Sequence, residues 1–451
     1  MDTKKLRQKI LDLAIRGKLV PHDPNDEPAS VLLERIRAEK EQLIKEGKIK
    51  RTKKPAASDT SHYENVPFEV PEGWVWCTLG EIGTWQAGAT PSRVQKDYYG
   101  GNIPWLKTGD LTDGYIYDIP EMITDKALEE TPVKLNPAGS VLIAMYGATI
   151  GKIGILTYPA TTNQACCACV DYKAVTQKYL FYFLLSYKKE FIRMGGGGAQ
   201  PNISKEKIVE TFIPIPPLSE QERIVNEIEK IFSLVGTIDA DNYKLRRFLT
   251  LGKQEILNLA ITGRLQPQDP SDEPAITLLK RINPNYIPTD NRHYGNVPEG
   301  WAICTFEDVL EYEQPQKYIV SSTDYSDKYN VPVLTAGKSF IIGKTNEEFG
   351  VYDNLPVIIF DDFTTDSKYV DFPFKVKSSA MKILHPKAGI NLRYIAYLMS
   401  VTRLVGDTHK RYWISGYSKI AIMLPPVREQ ERIVAVIENI FDSLDRILAD
   451  L

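Results

Sequence analysis

The stretch ILDLAIRGKLVPHDPNDEPASVLLERI (residues 10–36) recurs without a gap as ILNLAITGRLQPQDPSDEPAITLLKRI (256–282), at an offset of 246. A second run, PPLSEQERIVNEIEKIF (216–232), recurs as PPVREQERIVAVIENIF (425–441) at an offset of 209. Shared hydrophobicity alone would not reproduce DP.DEPA or EQERIV, so the chain is internally duplicated, and a duplication fixes architecture before any single motif is trusted. A shorter echo sets HYENVPFEVPEGWVWCTL (62–79) against HYGNVPEGWAICTF (293–306), with four residues inserted in the first. Leu451 projected back by 209 lands on Asn242, and Met1 projected forward by 246 lands on Arg247, so four residues separate the two ends. One spacer copy is therefore expected to be continuous and the other stitched from both chain ends, which would lie together in a pseudo-twofold circular arrangement.

The spacers read as helices. Apolar residues fall at Ile224, Ile228, Ile231, Val235, Ile238, Leu245 and Leu249, with Asn242 at the remaining position, an alternation of four and three. That is the heptad seam of a coiled coil, in which a seam Asn fixes register at some cost in stability. The C-terminal run repeats it at Ile433, Ile437, Ile440, Leu444, Ile447 and Leu451, and Leu6, Ile10 and Leu13 continue it. Ser219 three residues before Glu222 reads as a capping box, and Gly17 and Gly263 read as helix stops. Matching helices at matching places predict antiparallel pairing; the blander reading is an ordinary amphipathic helix lying on a globular core.

Between the spacers lie two blocks rich in Val, Ile, Tyr, Phe, Gly and Thr. SVLIAMYG (140–147), ACCACVDY (165–172), LPVIIFDDF (355–363) and YVDFPFKV (369–376) read as short strands, and each block ends in a helix, near 178–192 and 392–404. The fold class is α+β: two mixed α/β blocks separated by antiparallel coiled-coil spacers. The expected division is 1–61 (N-terminal spacer part plus basic linker), 62–217 (first block), 218–292 (central spacer), 293–426 (second block) and 427–451 (C-terminal spacer helix). Within the linker, KEGKIKRTKK (45–54) is a solvated charged run or a phosphate contact. Beyond their opening segments the two blocks diverge, which suggests that identical frames hold readers of two different things.

Composition bounds the rest. At roughly 100 to 200 residues per domain, a chain of 451 residues predicts two or three domains. Lys plus Arg is 55 against 58 acids, a net charge of −3, so any nucleic-acid contact must come from local patches. Five cysteines, three of them at Cys166, Cys167 and Cys169, make no even framework and read as buried small hydrophobes. No apolar run is long enough to span a membrane and no secretory signal is legible, so the chain is expected to be cytoplasmic, without membrane contact.

Catalytic signatures do not emerge. GATIGKIG (147–154) has three residues between its glycines where a P-loop needs four, and Ile153 follows the Lys where Ser or Thr would hold magnesium. No dinucleotide fingerprint follows a strand, GGGG (195–198) reads as a loop, and His22, His62, His293, His385 and His409 are scattered. Asp361, Asp362 and Asp366 with Lys368 could serve a metal-dependent nuclease, but the first block has no counterpart. Neither an AdoMet glycine loop nor an Asn-Pro-Pro-aromatic motif occurs. A recognition or assembly part is expected, not an enzyme, and no metal or catalytic residue is assigned.

IPIPPLSEQERIVNEIEKIF, LPPVREQERIVAVIENIF and LNLAITGRLQPQDPSDEPA resemble the specificity subunit of Type I restriction-modification systems. GATPS (88–92), IPWLKTGDL (103–111), YGATIGKIGI (146–155) and NQAC (163–166) are similar to motifs of that family's target recognition domains, as, less diagnostically, are VIIFDDFT and FPFKVKSSAMKIL. The resemblance implies that each block contacts one half of a split, asymmetric double-stranded DNA target. It implies two methyltransferase subunits assembled on the helical frame, with two motor-nuclease subunits joining for cleavage. AdoMet, ATP and Mg would belong to those partners, with no cofactor on this chain. The helix from Ile224 to Ile261 would span roughly 55 Å, enough for blocks near its ends to meet successive major grooves.

Base edges are read by Arg, Lys, Asn and Gln, so loop polar residues are the DNA-binding candidates. In the first block these are Gln86, Thr90, Ser92, Arg93, Lys107, Gln200 and Asn202. In the second they are Gln314, Gln316, Lys317, Lys338, Lys344, Thr364, Lys368, Lys410 and Arg411, with Tyr412 and Trp413 as packing or stacking neighbours. The competing reading of each is a solvated loop residue, and the competing function is a coiled-coil scaffold that binds proteins only. A self-contained nuclease or methyltransferase is the third.

Overall fold

The computed structural model describes residues 2–46, 66–172, 174–196, 202–288, 297–336, 339–402 and 411–451, which form two compact units, 1–240 and 241–451. The spacer is thus not a body of its own: each piece belongs to the same unit as the block it adjoins, because polar residues of the repeated motifs tie helix to block.

The first unit opens with α1 (Thr3–Ile15), capped by Asp2, whose carboxylate accepts from the Lys5 amide at 3.0 Å. Gly17 ends it at φ +64°, and a Cβ there would lie 2.4 Å from Pro71 Cγ, so both conformation and space require glycine. Helix α2 (Ala29–Lys45) follows. It reaches the start of the basic run quoted from the linker: AEKEQLIK is made of good helix formers and continues the helix to Lys45. Residues 47–54 of the basic run lie outside the described residues.

The first block comprises β1 (Val75–Thr78), α3 (Leu79–Ile82), β2 (Gly83–Ala87), β3 (Tyr99–Leu106), β4 (Gly114–Ile116), β5 (Met122–Ile123), α4 (Asp125–Glu130) and β6 (Val141–Ala144). It continues through β7 (Ile153–Leu156), β8 (Thr161–Thr162), β9 (Cys166–Tyr172), α5 (Gln177–Met194), α6 (Lys205–Val209) and β10 (Phe212–Ile215). A five-stranded sheet runs β2-β9-β6-β7-β4 and a three-stranded one β5-β3-β8, while β1 pairs antiparallel with β10 and draws the block's two ends together. Apolar faces of α1, α5 and β6 meet the first turns of α7 (Leu218–Ile261) in one core that includes Leu11, Ile143, Leu180 and Ile224.

In the second unit the far part of α7 leads to Gly263, at φ +68° and with Pro298 Cγ 2.4 Å from its missing Cβ, and then to α8 (Ala275–Ile282). The second block holds β11 (Ala302–Thr305), α9 (Phe306–Val309), β12 (Leu310–Glu313), β13 (Val331–Leu334), β14 (Ile341–Thr345), β15 (Val357–Asp361), β16 (Ser367–Val370) and β17 (Lys375–Val376). After these come β18 (Met381–Pro386), α10 (Leu392–Val401), α11 (Tyr412–Ser415), β19 (Ala421–Leu424) and α12 (Val427–Asp450). Its sheets run β12-β18-β15-β16 and β14-β13-β17, and β11 pairs with β19.

The blocks that diverge in sequence share one topology. Strands β2, β9, β6 and β7 correspond in order and sense to β12, β18, β15 and β16, and the parallel pair β3·β8 corresponds to β13·β17; β4 is an extra edge strand of the first block. The terminal helices match as well: Lys178, Tyr179 and Tyr182 of α5 take the places of Arg393, Tyr394 and Tyr397 of α10. The Tyr179 hydroxyl donates to the Pro214 carbonyl and that of Tyr394 to Met423; Lys178 pairs with Glu229 and Arg393 with Glu438. Tyr182 meets Phe232 edge-on at 6.0 Å, as Tyr397 meets Phe441 at 5.9 Å. All five cysteines are buried and form no disulfide, and burial pushes the Cys167 thiol up to about 12 and the others higher than usual wherever a shift is resolved.

Candidate nucleic-acid interface

Three letters of the repeated EQER motif, its first Glu, its Gln and its Arg, each have one task, performed twice. The buried Glu220 carboxylate accepts from the Trp74 indole at 3.1 Å and lies 2.7 Å from His22 Nδ1. Glu429 accepts from the Trp301 indole at 2.9 Å and from the Gln268 amide at 3.2 Å, and burial raises its pKa. Gln221 donates to the carbonyls of Ala174 and Pro216 and accepts from the Thr176 amide that starts α5; Gln430 donates to Pro425 and accepts from the Asn391 amide that starts α10. Arg223 holds Asp26 at 2.6 Å and Arg432 holds Asp272 at 2.5 Å, so the DP.DEPA loops are pinned to the helices. The Arg223 guanidinium keeps the Asp26 carboxyl below the usual carboxylate range. Ser219 does not form the expected capping box: α7 already begins at Leu218, and the Ser219 hydroxyl donates to Asp26.

The expected seam is buried only in part. Helix α1 runs antiparallel to the start of α7: Arg7 meets Asp239 at 2.9 Å and lies over the Phe232 ring, while His22 meets Glu220. Helix α12 runs antiparallel to the end of α7, with Lys253 bonded to Asp445 at 2.6 Å and lying over Phe441. Ile224, Ile228, Val235, Leu249, Ile433 and Ile437 are buried, and Ile231, Asn242, Ile440 and Leu444 are half-buried. Ile238, Leu245 and Ile447 are exposed, which corrects the expectation of a continuous buried seam. Ile238 and Leu245 lie at and beyond Asp239, the position on α7 that Arg7 of α1 pairs with, and ahead of Lys253, which pairs with Asp445 of α12. Leu234, Tyr243, Phe248 and Leu251 are exposed on the same helix.

In the first block the structure gathers most of the candidates on one rim. The Arg93 guanidinium lies 4.4 Å from the Tyr99 ring centroid and 5.2 Å from that of Trp105, pairs with Glu121, and shares that carboxylate with Lys107 at 2.9 Å. The two cations hold Glu121 below the usual carboxylate range, Arg93 foremost. Thr90 bonds the Gln164 side chain, Tyr146 donates to the Gln164 carbonyl, and Asn202 is bridged to Tyr146. Ser92 is exposed between these groups, while Gln86 points elsewhere and donates to buried Asn136 at 2.7 Å. Gln200 lies outside the described residues. Glu121, Tyr99 and Trp105, which position the cations, were not among the expected residues; the aromatic spacing around Arg93 was the available signal.

In the second block Gln314, Thr364 and Arg411 converge around a buried pair, Lys382 and Asp362, 3.5 Å apart. Lys382 donates to the Gln314 amide oxygen at 2.9 Å; Thr364 sits in the turn after Asp362, its amide bonded to Asp361; and Asp362 caps the first turn after Arg411 by accepting from the Trp413 amide at 2.8 Å. Trp413 is buried among Phe360 and Tyr417, so its role is packing, and Tyr412 is half-buried beside it. Gln316, Lys317, Lys344 and Lys368 are exposed. Lys338 and Lys410 lie outside the described residues. With Asp362 spent on Lys382 and on α11, and Asp361 on the turn amides, the acids serve structure, and no metal-binding group of acids is found among the described residues. Among those residues no helix is long and apolar enough to cross a membrane.

These features define a duplicated α/β protein: two topologically equal, chemically different rims, each clamped to helices by the same EQER grammar. The chain belongs to the Type I restriction modification DNA specificity domain family, whose model matches residues 71–242 and 298–450. It is 31% identical over 386 residues to the Type I restriction enzyme EcoAI specificity subunit of Escherichia coli, covering 68% of this chain and 62% of that one. It is 45% identical over 148 residues to the Escherichia coli EcoR124I/EcoR124II specificity subunit, covering 32% and 37%. The matches thus span less than two thirds of these relatives' length. A solved chain from work on complex assembly and conformational transition of the type I R-M system shares the fold, with TM-score 0.57 at 15% identity over 85% of this chain and 94% of that one.

Proposed function

We propose that the chain is a non-catalytic DNA-specificity subunit that reads a bipartite, asymmetric double-stranded target, one half-site per block. The observation that carries this reading is the pairing of a duplicated clamp with two different rims, in a chain of the specificity-domain family. A symmetric frame with unlike readers suits an asymmetric split site. Arg93 and Lys107 on the first rim, and Gln314 and Arg411 on the second, supply the donors that base edges and phosphates accept.

The frame recruits two methyltransferase subunits, which bring AdoMet and methylate adenine, and two motor-nuclease subunits, which bring ATP and Mg, when the target is cut. Leu234, Tyr243, Phe248 and Leu251, exposed apolar side chains of α7, support partner docking. Mapping methylated adenines in a host that carries this chain and its methyltransferase tests the proposal: a two-part motif with a constant gap is expected. A scaffold without DNA readout would leave methylation unpatterned.

A further inference from the structure

The second rim is built around an arrangement that stability does not explain. Lys382 and Asp362 are sealed from solvent, with side chains 1% and 2% exposed. A buried ion pair is a poor stabiliser compared with apolar groups of the same shape, yet this one is bonded to three further segments of the block. The Asp362 amide donates to Ala380 at 3.0 Å, its carbonyl accepts from Tyr412 at 2.9 Å, and its carboxylate accepts from the Trp413 amide. Lys382 lies over the Tyr312 ring and donates a hydrogen bond to the amide oxygen of Gln314, an exposed residue.

An ammonium group only donates, so it fixes which end of the Gln314 amide faces inward: the oxygen turns to Lys382 and the amino group turns away, toward the surface. We propose that Lys382 and Asp362 are positioning residues that make Gln314 a hydrogen-bond donor to DNA, so that it selects guanine or thymine at one position of the half-site read by the second block. This rests on the DNA-reading function proposed above. Glutamine reads adenine through both amide atoms at once, and with the oxygen held inward that two-point contact is not available. Guanine O6 and N7 and thymine O4 are acceptors that a lone outward donor meets, whereas adenine N7, the remaining major-groove acceptor, lies beside the N6 amino donor, which repels an approaching amino group.

The test uses the full chain, expressed with its methyltransferase in a host whose methylated adenines are mapped. If the unaltered chain yields no two-part motif, DNA reading itself fails, whatever Gln314 does. Given such a motif, Gln314→Met is expected to relax one guanine or thymine position by roughly tenfold, the size of a lost base contact. Gln314→Glu, which keeps the link to Lys382 but presents an acceptor, is expected to move that position toward cytosine or adenine. Lys382→Met should relax the same position as Gln314→Met while the other half-site stays intact. The two Gln314 variants, both at the surface, decide the matter if Lys382→Met does not accumulate as folded protein. An unchanged motif in both, or a position that reads adenine or cytosine in the unaltered chain, overturns the proposal.

Discussion

The Trp301 indole donates to the Glu429 carboxylate at 2.9 Å, with neither side chain more than 7% exposed. The bond joins the opening of the second block to the start of α12. Trp301→Phe removes the donor and leaves one carboxylate oxygen buried without it, which costs about 1–3 kcal/mol. A lower denaturant midpoint with unchanged slope is the expected result. Because burial already raises the Glu429 pKa, the variant should lose most at neutral and alkaline pH, where the unpaired charge is present.

The Asp26 pKa is shifted in the opposite direction to that of Glu429. The folded state holds Asp26 below its ordinary value of 3.8, so its stabilising contribution is complete above that value and is lost as pH falls through it toward the folded pKa. The stability gap between the unaltered chain and Asp26→Asn should be constant near neutrality and close in acid. Urea titrations at successive pH values measure it.

Gly17→Ala places a Cβ in a left-handed conformation, at about 1–2 kcal/mol, and drives it against Pro71. Gly263→Ala does the same against Pro298. Each is expected to lower the melting temperature, and alanine at exposed Gly109, whose Cβ would meet nothing within 4 Å, serves as the control.

Arg93→Ala removes a cation stacked on Tyr99 and Trp105. If the side chain meets a phosphate, the slope of log affinity against log salt falls by about one and all sequences weaken alike; if it meets a base, discrimination at one position is lost. Binding to target and scrambled duplexes across a salt series separates the two.

Deletion of residues 231–237 takes one heptad, roughly 10 Å at 1.5 Å per residue, out of α7. The number of base pairs tolerated between half-sites should change. An unaltered gap preference in the methylated motif would refute the helix as a ruler.

The frame was legible because its constraints are local and written twice. Gly17 and Gly263, Asp26 and Asp272, and Arg223 and Arg432 each perform a pairwise task that tolerates little change, so the repeat survives as identity. Strand order was not legible: β3 pairs with β8 across some sixty residues, and a strand face needs only apolar alternation, which many sequences satisfy. The Lys-Tyr and Arg-Tyr starts of α5 and α10 were a faint signal that the blocks match, hidden by different loop lengths. The seam was over-read because a heptad pattern shows which residues are apolar, not how far a partner helix reaches. Lys382 was detectable as a lysine set inside the apolar strand MKIL, needing an acid that FDDF supplies.

The thiol chemistry of this chain has a practical side. Cys77, Cys166, Cys167, Cys169 and Cys304 are buried, and the resolved shifts suppress thiolate formation, so gentle maleimide treatment of native protein should leave them untouched. A cysteine placed at Val94 or Phe349, among the most solvent-exposed side chains of their blocks, would then take a dye selectively, and fluorescence from either one could report reader occupancy without a cysteine-free background.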